Sequence, residues 1–205
     1  MHLKQNGYLH SALAITFLVT ALVACNREKE TITNSPAYPF IQSEKLIIPA
    51  AIALPQNLPG GNSRVATYFA EGVQKYRSQQ IAGSSPATYE WIFVAPQANL
   101  YDINGDKVGT HSAGPSWQLT GVNDSIYGQQ FSPPQFAPGT DASSIDWLLL
   151  KPQAGRAPTG IFEKVSYIQR IATAGGKAPF RLPNGPGETV DVIYTAMYRF
   201  TKINP

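Results

Sequence analysis

From Leu46 onward the chain has no long segment with convincing helical spacing. It is divided instead into short β-branched and aromatic runs, each bounded by Gly, Pro or Asn. Such a pattern selects an all-β fold. Leu46–Leu54 is an apolar run that stops at Pro55, and Thr88–Ala95 (TYEWIFVA) stops at Pro96. Leu100–Ile103 and Lys107–His111 flank Asn104-Gly105, which predicts a type I′ hairpin turn. Ser116–Thr120, Ser125–Phe131, Ile145–Lys151 and Ile161–Thr173 are further candidates. Val190–Thr201 alternates, with Tyr194, Ala196, Tyr198 and Phe200 on one face and Asp191, Thr195, Arg199 and Thr201 on the other. Arg64–Gln80 accepts a helical reading, but Gly72 weakens it and Val65, Thr67 and Phe69 alternate, so a strand bulged at Gly72 is expected. The runs amount to about nine or ten mostly antiparallel strands in one domain, a β-sandwich or a β-barrel.

Ahead of this region lies a different kind of sequence. Met1–Ser11 is polar, and Ala12–Ala24 is an uncharged apolar run too short to span a bilayer. Leu22-Val23-Ala24-Cys25 follows the layout of a bacterial lipobox: small residues lead to the cut, and a thiol takes the diacylglycerol. Residues 1–24 are therefore expected to be a lipoprotein signal peptide, with Cys25 lipidated. Several acyl chains, palmitate among them, would make a stable membrane anchor where one would be marginal. Asn26 after the Cys lacks the Asp that signals inner-membrane retention, which favours the outer membrane, with the domain in the periplasm or at the surface. Residues 25–43, polar with Pro36 and Pro39, read as a tether, and 44–205 as the all-β domain.

Loss of the leader removes His2 and His10 and commits the one Cys of the chain, leaving His111 as the last imidazole. No disulfide, thiolate ligand or Cys nucleophile then survives, and one His is too few for a zinc site, so no metal or cofactor is expected. Nothing matches G-x-S-x-G, G-x-G-x-x-G or a P-loop. Asp102-Ile103-Asn104-Gly105-Asp106 starts like a calcium loop, but Gly105 falls at the fourth position rather than the sixth, so a hairpin is the better reading. A formal net charge of +3, spread without runs, leaves no footprint for nucleic acid. At 14% the charged residues fall below the roughly 25% of an average soluble domain, against disorder or a coiled coil.

Several strings in order resemble the domain of unknown function family 3455, found in secreted bacterial and fungal proteins. They include Pro49–Pro55 (PAAIALP), Ala70–Tyr76 (AEGVQKY), Trp91–Leu100 (WIFVAPQANL), Val108–Trp117 (VGTHSAGPSW), Ile145–Leu149 (IDWLL), Val165–Gly176 (VSYIQRIATAGG) and Tyr194–Tyr198 (YTAMY). The resemblance implies an exported all-β domain with no assigned activity. It also implies that many relatives carry Cys residues where this chain has Arg77-Ser78 and Arg181-Leu182. The shared H-x-A-G-P-x-W string falls on His111, Ala113, Gly114, Pro115 and Trp117. With Gln74, Trp91, Gln169 and Arg170, His111 and Trp117 are the candidate ligand-binding residues.

Three functional expectations follow, the last of them a purely structural envelope role with neither cleft nor ligand. The first is a non-enzymatic, lipid-anchored envelope domain that binds a glycan, a small apolar ligand or a partner. The second is an envelope glycan or ester hydrolase or lyase using His111, with Ser112, Ser116 or Ser125 beside it, or a carboxylate such as Glu90 or Asp146. Glu90, if it faced inward, would need Arg170 or Arg199 beside it.

Overall fold

The computed structural model describes residues 46–205; the leader, Cys25 and the tether lie outside the described residues. Eight strands follow one another as an antiparallel meander: β1 (Asn62–Gln80), β2 (Tyr89–Tyr101), β3 (Lys107–Ser112), β4 (Ser116–Leu119), β5 (Ser125–Ala137), β6 (Trp147–Pro152), β7 (Tyr167–Gly175) and β8 (Thr189–Ile203). β8 pairs with β1 as well as with β7, so the sheet closes into a barrel. No helix among the described residues is long and apolar enough to cross a membrane.

The all-β expectation holds, and closure decides between sandwich and barrel. The strand count falls to eight for two reasons. Leu46–Leu54 does not join the sheet: it makes a short 3-10 turn at Ala50–Ile52 and lies on the outer face. The two runs flanking Pro96 are one strand, because Pro96 pairs with Gln74 within a register that runs without a shift from Phe69 opposite Tyr101 to Lys75 opposite Ala95. Ile161–Thr173 is shorter than expected, with a 3-10 turn at Gly160–Phe162 and the strand beginning at Tyr167. Gly72 sits in continuous register on both sides, and the irregularities of β1 fall between Arg64 and Ala66 and between Lys75 and Tyr76. What Gly72 supplies is closeness: a Cβ there would stand 2.1 Å from the Gln97 carbonyl. The Asn104-Gly105 hairpin forms, but only Gly105 takes positive φ, and Asp102 carries the turn by accepting the Asn104 and Asp106 amides.

Alternation along each strand gives the ring an inside and an outside. Inside, Ala70, Ala98, Leu100, Ile126, Ile168, Ala196, Tyr198 and Phe200 meet in a continuous buried core. The β6–β7 connection drops Phe162 into the bottom of the ring, against Phe200 (ring centroids 4.8 Å) and Tyr68 (6.4 Å). Gly160 holds that plug in place with φ +59, and any side chain there would strike the Asp124 carboxylate. Outside, Ile52 covers a second cluster made by Phe69, Trp147, Leu149, Ile171 and Met197. This cover explains why both faces of β8 are buried over Ala196–Thr201 although the sequence suggests one wet face.

Removing the plug tests this account of the closed end. Phe162→Ala should lower unfolding free energy by about 3–5 kcal/mol, the range for deleting a buried aromatic side chain. Urea denaturation measures it, and a loss below 1 kcal/mol would show that the plug does not seal the barrel.

Candidate functional site

The other end of the barrel is open, and a cavity of about 580 Å³ reaches down into it, within the range typical of small-molecule sites. Four connections surround this end: 81–88, 113–115, 138–146 and 176–188. The walls near the mouth are Tyr76, Phe93, Val94 and Pro96 on one side and Ile145, Leu148 and Leu150 on the other. Phe93 and Val94 are about half exposed (52% and 51%), so the rim offers apolar surface to anything approaching it.

His111, Trp117 and Tyr198 make the floor. His111 stacks on the Trp117 indole with centroids 4.7 Å apart and planes 15° from parallel, and Tyr198 stands 4.8 Å from the imidazole. Gly128 makes room for the indole, since a Cβ there would lie 3.0 Å from the Trp117 ring. The imidazole Nδ1 lies 2.8 Å from the Ser116 carbonyl. A carbonyl only accepts, so Nδ1 carries the proton and Nε2 keeps its lone pair. Burial drives the His111 pKa from 6.5 down to about 3; the Ser116 carbonyl opposes the fall and the Arg170 guanidinium adds to it. His111 is thus a neutral, oriented ring at physiological pH. A base that weak is poorly matched to proton abstraction near neutrality.

Above the floor lies Arg170. Its Nε and Nη2 donate to the Asp146 carbonyl at 3.0 and 2.8 Å, which fixes the guanidinium against the cavity wall. The carbonyl is held in turn by the 138–146 connection. Asp141 accepts from Ser143 and Ser144, and these bonds keep its carboxyl well below the usual range. The Ile145 amide donates to the Gly175 carbonyl, and the Thr173 hydroxyl to the Ile145 carbonyl. On the opposite wall Tyr76 donates to the Gly176 carbonyl at 2.6 Å. Gln74 Nε2, Trp117 Nε1 and the Tyr194 and Tyr198 hydroxyls are buried without a hydrogen bond of good geometry. Burial pushes both phenols up, with Arg170 pulling the other way.

Of the residues singled out in the sequence, His111, Trp117, Gln74 and Arg170 share this cavity, together with Ala113, Gly114 and Pro115. Two do not reach it. Gln169 follows the strand alternation to the outer face, where its amide donates to the Ile52 carbonyl at 2.8 Å. Trp91 lies away from the lining, donating to the Arg181 carbonyl, with the Arg181 guanidinium 5.3 Å over its ring. Glu90 is exposed opposite Gln79, so it needs neither Arg170 nor Arg199. Asp146 does line the cavity, with its carboxylate 3.7 Å from Lys177. Tyr198 and Tyr76 were not among the candidates; the alternation that aligns Tyr198 with Phe200 was the available signal.

Where the resemblance implies a pair of Cys residues in relatives, this chain is tied without sulfur. The Ser78 amide donates to the Glu188 carbonyl, the Glu188 amide to the Ser78 hydroxyl, and Arg181 pairs with Glu188 at 2.7 Å. No group of three or more His, Cys, Asp or Glu side chains able to hold a metal occurs among the described residues.

The fold and site together define a small antiparallel barrel, stoppered at one end and hollow at the other, with a polar floor. The chain belongs to the family described as protein of unknown function (DUF3455), which matches residues 59–202. Neither the curated proteins nor the solved structures contain a match.

The buried imidazole has a consequence for stability. In the native state His111 stays unprotonated down to about pH 3, whereas an unfolded His takes its proton near 6.5. Below pH 6.5 the unfolded chain therefore binds more protons, and stability falls with pH at up to about 1.4 kcal/mol per pH unit from this residue. Urea melts of wild type and His111→Phe between pH 7 and 4 should show a shallower decline in the variant. Parallel declines would exclude His111 as the source.

Proposed function

We propose that the mature protein is a non-enzymatic binding protein of the bacterial cell envelope, anchored by lipid on Cys25 and taking a small ligand into the open end of its barrel. The observation that carries the reading is the convergence of Gln74, His111, Arg170 and Tyr198 at the bottom of a cavity walled by apolar side chains. Few convergent polar groups in an otherwise apolar pit are the usual composition of a ligand site. The polar groups fix orientation while the walls supply most of the affinity. A ligand with a ring or short apolar body and one polar end, a glycan unit or a small apolar molecule, suits that division.

The anchor rests on the sequence Leu22-Val23-Ala24-Cys25, and Asn26 favours the outer membrane as its site. Cys25→Ala should leave the protein without acyl chains and move it out of the detergent-extracted membrane fraction, as read by intact mass and fractionation. A variant still carrying acyl mass would overturn the assignment to Cys25.

Binding itself is testable by blocking the pit. A small-molecule panel should contain compounds that stabilise the wild-type protein by about 2.7 kcal/mol at a hundredfold excess over Kd, a rise of several degrees in Tm. Leu148→Trp, which fills the cavity from its wall, should abolish the rise while preserving the β circular dichroism spectrum. Equal shifts in wild type and the filled variant would place the binding elsewhere.

A further inference from the structure

The charges around the cavity do not cancel. Its charged lining residues are Arg170, Lys177 and Asp146. Lys177 and Asp146 face each other at 3.7 Å on the partly exposed rim. Arg170 sits deeper, half-buried, and has no carboxylate within ion-pair distance among the described residues; what holds it is the backbone carbonyl of Asp146. A partly buried guanidinium without a counter-ion is costly unless an anion completes it.

The hydrogen-bonding groups lean the same way. Gln74 Nε2 and Trp117 Nε1 only donate, and neither they nor the Tyr198 hydroxyl makes a hydrogen bond of good geometry, although Tyr198 lies near Tyr194 and Arg170; the three residues line the cavity and are at least 98% buried. His111 Nδ1 is engaged with Ser116, and the ring carries no charge. The interior thus offers more donors than acceptors around a single uncompensated cation, and a group that accepts several bonds with one negative charge fits that setting.

Resting on the binding role proposed above, we infer that the cavity takes an organic carboxylate, its carboxylate group seated on Arg170 and its apolar body against Phe93 and Tyr76. A phosphate dianion would bring one charge more than the lining neutralises. An uncharged sugar would leave Arg170 without a counter-ion. Phe93 and Tyr76 pack edge-on with centroids 5.8 Å apart and together form an aromatic wall against which either a ring or an alkyl chain can lie.

The test is isothermal titration of the full-length, membrane-extracted protein with 3-phenylpropionate and 3-phenylpropanamide, and in parallel with octanoate and octanamide. Each acid should bind at least tenfold more tightly than its amide, and the tighter of the two acids tells whether the apolar body is a ring or an alkyl chain. In Arg170→Gln the acid should fall to the level of its amide, while Arg170→Lys should keep the preference. Acid and amide bound equally by wild type would overturn the carboxylate seat and leave the binding pit standing. No heat from any of the four would overturn both. Should Arg170→Gln fail to fold, the acid-to-amide ratio of wild type still decides.

Discussion

Pairing of β1 with β8 is the constraint on which everything else turns. An open meander could cover its apolar face with any neighbour, but a closed eight-stranded ring must fill a fixed interior with its own side chains. This chain fills that interior unevenly. Phe162, Phe200 and Tyr68 occupy the lower part, the stacked His111 and Trp117 rings with Tyr198 form a lid on that packing, and the upper part is left as a cavity. The site is therefore a by-product of where large side chains stop, and no additional element is needed to build it.

The aromatic floor also sets the electrostatics. Burial beneath the cavity discharges His111, so its ring contributes shape and one lone pair but no charge. The positive character of the pit then belongs to Arg170 alone. The same burial keeps the phenols of Tyr194 and Tyr198 protonated, so both remain donors across the physiological range. A cation, neutral donors and a desolvated floor act together because local dielectric strengthens each of them.

Much of this was legible in the sequence because period-two alternation and turn residues are local signals. The strands, the hairpin at Gly105 and the inward set Tyr194, Ala196, Tyr198 and Phe200 all follow from neighbours a few positions apart. What could not be read depends on distant partners. Pro96 looks like a strand end, yet inside a barrel its ring faces the interior opposite Gln74 and the register continues. Leu46–Leu54 has strand composition, but β1 and β8 occupy each other's edges and leave it no edge to join, so it becomes the cover of the outer cluster. Gln169 and Arg170 are adjacent and both polar, and only the ring's inside-outside sense, invisible locally, sends one to Ile52 and the other to the cavity.

The rim divides into two mechanically different halves. On the β6–β7 side the 138–146 connection is stitched by Asp141, Ser144, Ile145 and Thr173 into the sheet edge, and a bridge joins Ser144 to Gly176. That half carries Asp146 and hence the orientation of Arg170. On the β1–β2 side the stretch from 181 to 188 is held by one partly exposed ion pair and a few bonds to Ser78 and Trp91. Exposed pairs contribute little, typically below about 1 kcal/mol. The part of the rim that orients the charged group is thus the more densely hydrogen-bonded one, and the 181–188 stretch is the more weakly fastened. Between β1 and this stretch the ties are polar contacts alone, whereas the guanidinium below keeps both of its bonds to the Asp146 carbonyl.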